Sequence, residues 1–206
     1  MRLDIMIKNK IANFWYYHKF KILVVLSAII LFSLGLNINL DGVSDLEIGY
    51  VIEESDVILK NQQLMTNQFE SLISKTRKKD ARVSFLPLTG SHFEVEFTLG
   101  ISQIILLDKI TLERYINFPF FEPLDDYVTR YNINIKDFPE LLTKTKDSED
   151  FHVYALPLKD MKLLLDMGIP EDYYFTIRLP KMSKPDDVLR NQNAHIVLDY
   201  ILSNMQ

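Results

Sequence analysis

The chain has 206 residues, 48% of them hydrophobic and 25% charged, with a formal net charge of −5 and no cysteine. That length suits one ordinary domain with a short additional segment rather than two full domains. The absence of cysteine excludes a disulfide framework, a thiolate metal site, a catalytic thiol and an acyl anchor on cysteine.

Charge is unevenly spread. Residues 1–40 hold five bases (Arg2, Lys8, Lys10, Lys19 and Lys21) against Asp4, a local charge of +4; the other 18 bases and 27 acids leave −9 on the remainder. An acidic body argues against nucleic acid as a partner, because neutralising phosphates requires a basic face. The run from Ile22 to Leu40 carries no charge. Nineteen helical residues reach about 28 Å, close to the thickness of a hydrocarbon core. A transmembrane helix over 22–40 is therefore expected, with membrane lipid as its partner. Ahead of it, Phe14 to Lys21 interleaves aromatic rings with lysines, as headgroup-level segments do. The positive-inside rule places 1–21 in the cytoplasm and the domain at 46–206 outside, single-pass in the cell membrane. A cleaved signal peptide is the rival reading, with Ser33 and Gly35 as the small residues before the cut. The long aromatic flank and the lack of an Ala-x-Ala pattern favour a retained anchor. A cysteine-free exported domain would fit a Gram-positive cell surface.

After a short polar stretch from Asp41, Leu46 to Ile52 reads as a β-branched and aromatic strand. Ser55 or Asp56 can cap a helix whose apolar face runs through Ile58, Met65, Phe69 and Leu72. Val83 to Leu86 predicts a second strand. Phe93-Glu-Val-Glu-Phe97 alternates apolar and acidic residues, which predicts a half-exposed strand. Ile101 to Leu107 is a nearly continuous apolar run, as in a strand covered on both faces. A short helix is expected over Thr111 to Asn117, then an ordered aromatic loop through Tyr127, and another short helix over Ile135 to Thr143. Phe151 to Leu156 predicts a strand, Asp160 to Met167 a helix closed by Gly168, and Tyr173 to Leu179 a strand. A final helix begins near Pro185, with Leu189, Asn193, Ile196, Val197, Tyr200 and Ile201 on one face. Strands alternating with helices predict a three-layer α/β domain.

The sequence offers no residue set for catalysis. His92, His152 and His195 lie at no metal-ligand spacing, Ser102 has no flanking glycines, and the glycines form no phosphate loop. His195 with Asp199 is expected to be a surface ion pair. Asp125-Asp126 and Glu53-Glu54-Ser55-Asp56 supply hard oxygens, but helix capping is their expected job rather than cation binding. The reading is thus not an enzyme, with no catalytic, cofactor or metal residue.

One set of phrases is more specific. Ile104-Ile105-Leu106-Leu107-Asp108, a helix, then Phe121-Glu122-Pro123-Leu124-Asp125-Asp126-Tyr127, with Val153 to Leu158 and Asn193 to Leu202 downstream, resembles the extracellular solute-binding proteins of bacterial ABC importers. The layout, opening on Phe14-Trp-Tyr-Tyr-x-Lys19, is also similar to small membrane-anchored Firmicute proteins. The resemblance implies one lobe of a type 2 periplasmic-binding-protein fold. Only about 165 residues follow the apolar run, enough for one lobe and not the usual two. Gln103 stands where the family carries an Asp.

By that analogy, and by the rule that open α/β sheets bind ligands beyond the carboxyl ends of their strands, the ligand-binding residues would be Glu53, Leu88 and Asp108. The expected function is a membrane-anchored, extracytoplasmic solute-binding-like module for a ligand or protein, as a transporter accessory, with a membrane-protein partner and a small-molecule ligand left open. The alternative is a single-pass structural or assembly protein of a membrane complex with no small ligand.

Overall fold

The computed structural model describes residues 15–16, 18–20, 25, 27, 44–51, 60–75, 80–89, 91–145, 150–182 and 184–205. The chain divides into two compact units, Met1–Val43 and Ser44–Gln206. In the first, Trp15, Tyr16 and His18 to Phe20 are helical, and the Lys19 ammonium lies 5.6 Å from the Tyr16 ring and 5.4 Å from that of Phe20.

The expected transmembrane helix is corrected by the structure. Among the described residues no helix is long and apolar enough to cross a membrane, and of the run 22–40 only Val25 and Ser27 are described. The 19-residue helix Pro185–Ser203 has the length, but it carries Asp186, Asp187, Arg190 and Asp199. Charges at that density suit a helix with one wet face, not a hydrocarbon environment. The fold is accordingly mixed α/β, with no spanning helix among the described residues.

The second unit is built on strands β1 (Leu46–Val51), β2 (Val83–Leu88), β3 (Ile104–Leu107), β4 (Leu142–Thr143), β5 (His152–Val153), β6 (Leu156–Pro157) and β7 (Tyr174–Ile177). Five form one sheet in the order β2-β1-β3-β7-β6, and β4 pairs with β5 separately. The first three are mutually parallel, β7 runs against β3, and β6 runs against β7. The helices are α1 (Gln62–Leu72), α2 (Ser91–Leu99), α3 (Lys109–Tyr115), α4 (Asp125–Arg130), α5 (Lys162–Asp166) and α6 (Pro185–Ser203).

Crossing from β1 to β2 and from β2 to β3 moves in opposite directions across the sheet. Right-handed crossovers therefore put α1 and α2 on opposite faces. The contacts agree: Phe69 of α1 meets Tyr200 of α6 edge-on at 6.4 Å, and Phe93 of α2 meets Tyr115 of α3 at 5.0 Å. Covered on both sides, all four residues of β3 are buried. Gly49 has a steric role within the sheet, since a Cβ there would lie 2.7 Å from Leu88 Cδ1 and 3.0 Å from Ser102 Oγ.

Several expected elements change. Phe93 to Phe97 is part of helix α2, not a strand. The alternation misleads because Glu96 is buried. Its carboxylate accepts from the backbone N–H groups of Ile101 (2.8 Å) and Ser102, holding the turn into β3. Residues 139–141 form a single 3₁₀ turn, and the expected strand from Phe151 to Leu156 is two short ones, β5 and β6. Glu53, Ser55, Asp56 and Ile58 lie outside the described residues.

The amino edge of the sheet is a polar knot. Arg178, just past β7, donates from Nε to Ser102 O (2.9 Å), from Nη1 to Leu179 O (3.0 Å) and from Nη2 to Asp187 Oδ1 (2.9 Å). The second Asp187 oxygen accepts from Lys181 N, and Asn191 donates to Arg178 O at 3.0 Å. Gly100, at φ 64°, leaves room for the guanidinium, 2.8 Å from where its Cβ would stand. Glu47 accepts from the Ser102 and Ser84 hydroxyls, yet burial pushes its carboxyl above the usual range, with Glu96 adding to the rise.

Removing one partner of a buried ion pair strands the other charge. Arg178→Ala should cost about 3–5 kcal/mol in urea denaturation, and the double change Arg178→Met with Asp187→Leu should lie closer to wild type than Arg178→Ala does. A double variant at least as unstable as the single would show that shape, not charge, governs the knot.

Candidate functional site at the carboxyl edge

The pairing register places Leu88, Val51, Leu107, Tyr174 and Pro157 in one row across the sheet. This row is the carboxyl edge of the parallel strands. The crossover direction reverses between β1 and β3, so the topological switch point of the sheet lies there.

Leu88 and Asp108 reach this edge from strands two apart, on the order of 10 Å. Leu88 points into the core beside Gly49 and is 1% exposed. Asp108 is the N-cap of α3, accepting from Thr111 N at 2.8 Å and Thr111 Oγ1 at 2.9 Å. Glu53 is not among the described residues.

Between β1 and β7 the edge is closed by Tyr173, whose hydroxyl donates to Val51 O at 2.8 Å. Beyond β3, Glu140 receives the Lys109 ammonium at 3.3 Å and the Tyr174 hydroxyl at 3.5 Å. Its own backbone N–H, then Lys109, hold that carboxyl below the usual range, while burial pushes the Tyr174 phenol up.

Next to this clamp the edge opens. Residues 158–160 form a 3₁₀ turn directly after β6 and lead into α5. Lys159, Asp160, Lys162, Leu165 and Met205 line a cavity of about 400 Å³. The Lys159 ammonium is held 4.8 Å over the Phe138 ring and 3.8 Å from the Asp137 carboxylate. Two ammonium groups against the Asp160 carboxylate leave a small positive excess in the lining, partly offset by Asp137 beside Lys159, with Leu165 and Met205 as its apolar part. The sequence reading missed these residues. The legible signal was Lys159-x-x-Lys162 immediately after a strand; Met205 is brought in only by the return of α6.

The histidines also regroup. Asp199 does not pair with His195 but holds Arg130 Nη1 and the Tyr131 hydroxyl, each at 2.9 Å. His195 bridges Glu122 Oε2 (2.7 Å, from Nε2) and the Tyr127 hydroxyl (2.9 Å, at Nδ1), and its ring stacks on Tyr127. Asp125 opens α4 and accepts from Val153 N, with His152 Nδ1 at 3.1 Å.

Ser102 is fully buried, so its bond to Glu47 activates nothing within reach of a substrate. Burial, then the Asp199 charge, pushes the Tyr127 phenol up to about 12, so it stays protonated and joins α4 to α6 through His195. Among the described residues no three His, Asp or Glu side chains gather as metal ligands would.

The native state keeps the Tyr127 proton to about pH 12, whereas an unfolded tyrosine releases it near 10. Stability from this group is therefore complete below about pH 10 and is lost as pH rises toward about 12. Tyr127→Phe should cost about 1 kcal/mol at neutral pH and flatten the alkaline loss of stability, measured by denaturation across that range. An unchanged alkaline slope would remove Tyr127 as its source.

No protein-family model, curated protein or solved structure matches the chain, so the likeness to solute-binding proteins stands on its sequence phrases alone.

Proposed function

We propose that residues 44–206 are a non-enzymatic, solute-binding-like module that takes a small acidic ligand at the carboxyl edge of its sheet. The observation that carries this reading is the open cavity lined by Lys159, Asp160, Lys162, Leu165 and Met205, beside the edge where the crossover direction reverses. The amino edge is occupied by the Arg178 contacts, and around Asp108 and Glu140 the carboxyl edge is internally paired. The cavity combines cationic groups with apolar side chains, the pairing that small-molecule sites use. Two facing lobes would shield a ligand on all sides. One lobe leaves it half wet, so binding is modest and the lysines contribute mainly through charge.

The test is a thermal-shift screen of the 206-residue protein against sugars, peptides and small carboxylates, repeated with Leu165→Arg to fill the cavity. A ligand present at 100 times its dissociation constant stabilises by about 2.7 kcal/mol, enough to move the midpoint by several degrees. Acidic compounds should raise the midpoint of the wild type and not of Leu165→Arg. No shift from any compound, or shifts unchanged in Leu165→Arg, would overturn the reading.

A further inference from the structure

The cavity after β6 holds charges of both signs, and they differ in how far the fold already uses them. Lys159 is committed, with its ammonium over the Phe138 ring and 3.8 Å from the Asp137 carboxylate. Asp160 and Lys162 are not. Both are exposed and both line the cavity, and among the described residues neither side chain forms a hydrogen bond or an ion pair. They flank Met161, which is buried and anchors the segment between the 3₁₀ turn and α5. Two residues of backbone hold their Cα atoms within about 7 Å of each other. A carboxylate and an ammonium thus stand on one cavity wall, close together and unpaired.

Such a pair discriminates by charge. A simple carboxylate gains Lys162 but meets Asp160 as a like charge, and a simple amine does the reverse. A molecule that carries a carboxylate and an ammonium a few Å apart satisfies the two together. Leu165 and Met205 then accept an aliphatic or aromatic group. We propose that the cavity takes a free amino acid with an apolar side chain, its carboxylate on Lys162 and its ammonium on Asp160. This rests on the cavity being the ligand site, and it narrows the ligand from a carboxylate to an amino carboxylate. A longer peptide matches the wall less well, because each added residue moves its charged ends up to about 3.5 Å farther apart.

The test compares leucine, methionine and phenylalanine, each with the deaminated acid that has hydrogen in place of the amino group. Dissociation constants come from ligand-observed NMR titration of the 206-residue chain. At least one amino acid should bind about fivefold more tightly than its deaminated acid, the discrimination expected of one partly exposed ion pair. Asp160→Asn should erase that preference and leave the acids bound at least as well as before, whereas Lys162→Gln should weaken both members of each pair. Both positions are exposed, so the variants keep the fold. If the acids bind as well as the amino acids, or the preference survives Asp160→Asn, the amino-acid assignment falls while the cavity reading stands. No binding by any of these compounds also overturns the assignment, and only silence in the wider screen, with sugars, peptides and small carboxylates, removes the cavity reading with it.

Discussion

The second unit depends on the Arg178 guanidinium. It is nearly buried, and its three nitrogens bind the backbone before β3, its own strand end and the first turn of α6. Its backbone is equally engaged, donating to Gln103 O and accepting from Asn191, with Phe121 bridged to the same residue. Parallel strands separated by long crossovers have no tight turn to set their register. One multidentate cation at the point where α2, β3, β7 and α6 converge performs that task. A lysine could not, since a point charge lacks the planar fork that binds several acceptors at once.

Around that cation most polar groups of the amino edge bond to one another, although the buried Arg190 Nε, near Glu47, has no hydrogen-bond partner. Gln103 accepts from Glu47 N and donates to Ile101 O; Asn193 donates to Asp45 O and Ser74 O and accepts from Ser74 N. Buried amides of this kind specify which segments meet more than they add net stability, because their hydrogen bonds replace ones to water. The raised carboxyl of Glu47 is a cost of this arrangement. The carboxyl edge is built differently, with exposed or half-exposed lysines and a cavity.

How legible this was depended on whether a residue's partner lay near it in sequence. Uniform burial made the β3 run readable, and Pro185 followed by periodic apolar residues made α6 readable. Asp108 caps α3 with a donor only three residues on, although the sequence resemblance points to it as a ligand residue. Phe93 to Phe97 deceived because Glu96 faces inward to partners five and six residues on, which inverts the usual meaning of an acidic position. Spacing pairs His195 with Asp199, four residues away, but its partners are 68 and 73 residues distant. Spacing on one helix cannot report what a second helix brings. Met205 in the cavity is the same case. The long apolar run near the N-terminus is a composition signal, and among the described residues no helix realises it as a membrane span.

The same distinction bears on Leu88 and Asp108. The switch-point rule located an edge, and the register does bring their strand ends to that edge. A rule about edges does not choose side chains, however. Leu88 fills the space that Gly49 leaves, and both carboxylate oxygens of Asp108 serve α3. A ligand taking either would have to displace an internal contact worth about as much as the new one. Lys162 and Leu165 impose no such exchange, since they already face the cavity. On the proposed reading, a ligand would therefore meet the turn and helix after β6 rather than the strand ends themselves.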